Sequence, residues 1–68
     1  MKNTLLLNEG SYQYAVIETD LNITEDFILM KLSKQFEYRP TNETLWASLI
    51  TETERTIYTL DYPNRKLI

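Results

Sequence analysis

The sequence contains no cysteine and no histidine, and it holds one glycine and two prolines in 68 residues. Each absence removes a class of chemistry. Without cysteine there is neither a disulfide nor a thiolate zinc site, and without histidine the Ser-His and Cys-His nucleophile systems cannot be assembled. The single glycine, Gly10, lies outside any strand-to-helix turn, so no phosphate-cradling loop is possible. No stretch reaches the 18 or more apolar residues of a membrane span. The run from Met1 to Leu7 passes directly into Asn8-Glu9-Gly10 and is too short for a secretion leader, so a cytoplasmic protein without a membrane partner is expected.

Positive charge is also scarce. Seven basic residues against ten acidic ones give a net charge of −3. The cations are scattered, and Arg65-Lys66 is the one adjacent pair. Such a surface repels phosphate backbones, which makes nucleic acid an unfavourable partner. Tyr12/Tyr14, two residues apart, and Tyr58/Tyr62, four apart, are same-face pairs of the kind that could serve as base-stacking platforms on a sheet. They lack the interleaved cations that single-strand binders use. A nucleic-acid module using the tyrosine-bearing face is therefore kept as the alternative reading.

Carboxylates are the remaining candidates for chemistry. Glu18, Asp20, Glu25 and Asp26 fall within nine residues. Asp20-Leu21-Asn22-Ile23-Thr24 starts like a calcium loop, yet its sixth position is Glu25 instead of glycine and its twelfth is Lys31 instead of glutamate. Glu25 and Asp26 already have a role as first-turn partners of a helix dipole. No catalytic residue, cofactor site, metal site or small-molecule substrate is expected. The two Asn-X-Thr sequons at Asn22 and Asn42 carry no weight without a leader.

What the sequence does have is 43% hydrophobic residues, among them Phe27, Phe36, Trp46 and five tyrosines. One domain, residues 1–68, is expected, close to the smallest size that folds without a disulfide or metal. Ile23 to Phe36 has a full set of helix signals. Thr24 is placed to cap it, Glu25 and Asp26 follow in the first turn, and Ile28, Leu29, Leu32 and Phe36 recur at helical spacing. Arg39-Pro40 ends it. Lys31 and Lys34 lie in its C-terminal half, where cations suit the dipole.

The rest reads as strands. Thr4 to Asn8 and Tyr12 to Thr19 flank a turn at Asn8-Glu9-Gly10-Ser11. Arg55 to Tyr62 is β-branched and aromatic, and Pro63-Asn64 closes it. Arg65 to Ile68 is a tail able to add a few strand residues. Thr41 to Ile50 is ambiguous, because Leu45, Trp46, Leu49 and Ile50 also fit a helical stripe. The strand reading is preferred, because the last strand needs a neighbour. Thr51-Glu52-Thr53-Glu54 lacks the glycine of a typical hairpin turn. The expected fold is a small α+β domain, a ββαββ antiparallel sheet with one helix on one face. The alternative is ββααβ with a second helix at 41–51.

That sheet has more apolar surface than one helix can cover. With Tyr12, Tyr14, Val16, Tyr58, Leu60 and Tyr62 under the helix, Ala15, Ile17 and Ile57 point away, joined by either Trp46 with Ile50 or Leu45 with Leu49. Open apolar patches usually mark interaction sites. The expected role is a non-catalytic protein-protein interaction domain, a regulator, inhibitor or accessory subunit of the kind bacteria and phages encode. Its partner is another protein, or itself as a homodimer. The contacts expected are Trp46, Ile17 and Ile57, with Glu18, Asp20 and Asp26 as a charged rim.

Overall fold

The computed structural model describes residues 2–68; Met1, where the short N-terminal run begins, lies outside the described residues. Five strands and one helix follow in the order β1 (Asn3–Glu9), β2 (Tyr12–Thr19), α1 (Glu25–Tyr38), β3 (Leu45–Ile50), β4 (Arg55–Asp61) and β5 (Lys66–Leu67). The strands form one sheet in the order β2-β1-β3-β4-β5, with every neighbouring pair antiparallel. The ββαββ order of the sequence reading is therefore present, and the tail adds a short fifth strand. Residues 45–50 are a strand, so the second helix of the alternative does not form. The deciding contact is β1, whose second edge pairs with β3 from Thr4↔Ile50 to Glu9↔Leu45.

Gly10 makes the first hairpin. It adopts φ +57 and, with Ser11, connects the Glu9↔Tyr12 pair, which is the glycine-first two-residue turn whose twist matches that of the strands. The second hairpin manages without glycine because Thr51 closes it. The Thr51 N–H donates to the Glu54 carbonyl at 2.9 Å, and its Oγ1 accepts from the Thr53 and Glu54 N–H groups at 3.4 and 3.3 Å. A threonine side chain thus does the work of a turn glycine. Asp61 and Lys66 pair across the third hairpin, whose Arg65 has φ 57.

Thr24 caps α1 as expected, its Oγ1 accepting from the Phe27 N–H at 3.1 Å. The helix runs two residues past Phe36 to Tyr38, and its last turn holds no basic residue. Lys31 and Lys34 consequently fall short of the turn where a cation is most favourable. Ile28 and Leu32 are completely buried against Leu5, Leu7, Leu45 and Ala47, with Phe27, Phe36, Leu49, Tyr58, Leu60 and Leu67 packed around them. This single layer between helix and sheet is the core.

Candidate interaction surface

Strand alternation assigns the faces. Leu5, Leu7, Leu45, Ala47, Leu49, Tyr58 and Leu60 point to α1. Their in-register neighbours form the opposite face in two rows. Glu18, Thr4, Ile50 and Arg55 make one row across β2, β1, β3 and β4, and Val16, Leu6, Ser48 and Ile57 make the next. Trp46 and Asn8 stand beyond them. No helix lies on this side, since α1 is the chain's one helix among the described residues and it packs on the other.

This outer face is apolar at its centre. Val16 and Ile57 are 50% and 51% exposed, at either side of the half-buried Leu6. Ser48, between Leu6 and Ile57, is buried, and its Oγ accepts from Arg55 Nε at 2.8 Å. That bond lays the Arg55 side chain along the face. Asn8 is buried as well and is satisfied locally, Nδ2 donating to the Leu6 carbonyl at 3.2 Å. Trp46 is held at the far end by its Nε1–H, which donates to the Gly10 carbonyl at 2.8 Å. An indole pinned this way loses little freedom when a partner covers it. Glu18 closes the near end, 3.9 Å from Lys2 Nζ, with both side chains more than half exposed. Such a pair contributes little by itself.

The structure brings together Trp46, Ile57 and Glu18 of the six contacts expected from sequence. It separates the other three. Ile17 does not point away from the helix as expected: it opposes Leu5 in the ladder and packs on the core, and Val16 takes the outer position. Ala15 changes face in the same way. The cause is a β-bulge, with the β1–β2 register shifting between Leu7 and Asn8 so that Leu7 pairs with Ala15 and Asn8 with Gln13. Tyr14 is the extra residue, and it lies with Ala15 on the helix side, so a strict period of two across β2 assigns its first or second half to the wrong face. Asp26 is in the first turn of α1, on the covered side, and Asp20 lies in the turn that follows β2. Of the two sets weighed for β3, the outward one is Trp46 with Ile50. Val16 and Leu6 were missed; the bulge hides the first, and the continuous Leu5-Leu6-Leu7 run hides the alternation of the second.

Tyr58 and Leu60 lie under the helix as expected. Tyr62 stacks on Phe36, centroids 4.1 Å apart, while Tyr12 is exposed. The tyrosine-bearing face is therefore largely the covered one. Two grooves run along the β2 side of α1. One of about 320 Å³ is lined by Ile17, Leu21, Ile23 and Phe27, the other of about 360 Å³ by Tyr14, Ala15, Lys31 and Lys34. No cluster of metal-ligating side chains exists among the described residues. No helix among them is long and apolar enough to cross a membrane.

Tyr14 has an electrostatic signature. Its Oη is sealed from solvent with no hydrogen-bond partner among the described residues. Burial, reinforced by Glu9, pushes its pKa up from 10.0 to about 12. Burial also raises the Tyr58 pKa, helped by Glu25 and Glu54. Because the folded Tyr14 value lies above the unfolded one, the neutral phenol's contribution to stability is complete below pH 10. It is lost as pH rises through about 12. Tyr14→Phe removes both the orphaned hydroxyl and this loss. The variant gains about 1 kcal/mol at neutral pH and unfolds less steeply between pH 10 and 12 than the parent. Urea denaturation at a series of pH values measures both effects.

No family model, curated protein or solved structure matches this chain, so its function is argued from the geometry of the outer face.

Proposed function

We propose that this chain is a small, non-catalytic protein-protein interaction domain of the cytoplasm that docks through the outer face of its sheet. It acts as a regulator, inhibitor or accessory subunit by covering a surface on its partner. The observation that supports this is the apolar patch of Val16, Leu6, Ile57 and Ile50, with the pinned Trp46 beside it, on a sheet face that the single helix leaves bare. The arrangement follows the anatomy of an interface: an apolar centre, an aromatic anchor, and Glu18 and Arg55 at the rim. The grooves beside α1 are smaller and open, and they bring together no pair of carboxylates at which a reaction could be assigned. Nucleic acid is the weaker reading, since the tyrosines that would stack on bases are mostly packed beneath the helix and the net charge is −3.

Ile57→Asp tests the reading. Ile57 is half exposed, so the substitution leaves the core intact, and circular dichroism verifies that. Tagged parent and variant are compared in affinity capture from the source cell. The expected result is a partner retained by the parent and bound roughly thirtyfold or more weakly by the variant. Equal retention by both chains would remove the outer face from the proposal.

A further inference from the structure

The register of the outer face has an internal symmetry. Reading across β2, β1, β3 and β4, one row runs acid, small, apolar, base (Glu18, Thr4, Ile50, Arg55), and the next runs Val16, Leu6, Ser48, Ile57. A two-fold axis lying in the plane between two such sheets, parallel to the strands and passing between β1 and β3, reverses each row onto itself. Glu18 then stands over Arg55, Val16 over Ile57, and Leu6 over Ser48. Unlike charges meet at both ends, the two most exposed apolar side chains of the face meet between them, and each Leu6 stands opposite the Ser48 position, whose own side chain is buried beneath its neighbours. An in-plane axis perpendicular to the strands would instead stack β2 on β2 and β4 on β4, setting Glu18 against the Gln13 end and Arg55 against the Thr59 end, with no charge matched.

We propose that the outer face is covered by a second copy of this chain, packed sheet on sheet about the strand-parallel two-fold axis, with Glu18 of each copy paired to Arg55 of the other. The inference rests on the docking reading above and names its occupant. Isologous association requires one patch to complement itself, and these two rows do. Aligned sheets cross at about −30° and stand about 10 Å apart, which keeps the central apolar pairs in contact and leaves the corner pairs to long side chains. Glutamate and arginine have that reach. Among the described residues Arg55 makes no ion pair and is held on the face through Ser48, and Glu18 has only the loose contact with Lys2 at 3.9 Å. Four strands about 4.8 Å apart with outward rows about 7 Å apart make a footprint roughly 20 Å on a side. This would bury roughly 1,000 Å² in total, at the lower bound for a specific interface, so association in the micromolar range is expected. β5 lies beyond the four strands and overhangs the footprint.

Sedimentation velocity over a concentration series, on parent, Glu18→Arg, Arg55→Glu and the double swap, tests the pairing. The parent is expected to be a concentration-dependent dimer. Each single reversal sets like charges together twice per dimer and weakens association about tenfold or more; the double swap restores the opposite pairs and recovers affinity to within about threefold of the parent. A structural role for either residue would not produce that rescue. A dimer indifferent to both reversals, or reversals without rescue, overturns the pairing. A parent that stays monomeric overturns the second copy. The capture experiment then separates the two claims: a monomer whose partner is lost on Ile57→Asp keeps the docking face with a different occupant, and a monomer with no such partner removes both.

Discussion

Replacing Leu5 by alanine lowers the unfolding free energy by about 3 kcal/mol, within the roughly 2–5 kcal/mol that truncated core leucines cost. Leu5 is fully buried on β1, an interior strand with neighbours on both edges. It stands between Ile17 and Leu49 in the ladder and belongs to the same cluster as Ile28 and Leu32 of α1. Ladder hydrogen bonds hold the strand on both sides, so the space cannot close by sliding the backbone, and the cavity cost adds to the lost transfer energy. A domain of 68 residues has a total stability of about 3–10 kcal/mol. The substitution therefore removes a large share of it, and the melting temperature falls by about 12 °C or more. Met30→Ala, at an exposed position of α1 outside the outer face, is the control and changes stability by less than about 0.5 kcal/mol. Thermal and urea unfolding of the two variants measure the contrast. A loss under about 1 kcal/mol for Leu5→Ala would mean that the core does not centre on β1.

Gly10→Ala is expected to cost about 1–2 kcal/mol. Two causes compete. One is the backbone, since Gly10 has φ +57, where an L side chain is strained whatever the space around it. The other is steric, since a Cβ there would lie 2.7 Å from Glu43 Oε2. That oxygen is the end of a flexible, exposed side chain and can swing aside, so the backbone term dominates. The double variant Gly10→Ala/Glu43→Ala should recover less than about 0.5 kcal/mol of the loss. Full recovery would show that the contact, and not the left-handed conformation, is what excludes a side chain. The consequence reaches the interaction surface, because the Gly10 carbonyl holds the Trp46 indole and the Gly10 N–H bonds the Thr44 carbonyl at 2.7 Å. Loss of the turn geometry should accordingly also loosen Trp46, visible as a red shift of its fluorescence.

The elements carried by local physics were legible in the chain. The Thr24 cap, the acids behind it and the Ile28/Leu32 stripe specify α1 without reference to any other segment, and Gly10 specifies its turn for the same reason. The strand at 45–50 was harder to read, because Leu45, Trp46, Leu49 and Ile50 satisfy both periods; hydrogen bonding to β1, nearly forty residues away in sequence, decides it. The outer face was half legible. Trp46 and Ile57 sit on β3 and β4, which keep a strict alternation from end to end, whereas Glu18, near the end of β2, was named for its charge and not for its face. Ile17 and Val16 were interchanged because one unpaired residue at Tyr14 shifts the parity of β2, and nothing about Tyr14 itself marks it as a bulge.

The sequence by itself determined the α+β class, the helix α1 with its limits to within two residues, and the first hairpin. Those follow from capping chemistry, side-chain period and residue counts, all properties of neighbours along the chain. Tertiary structure alone decided which side chains share the open face, because a strand's face depends on its register with strands distant in sequence, and a one-residue bulge reverses it. It also decided that Glu18 and Arg55, 37 positions apart, end the same row on opposite sides of the sheet.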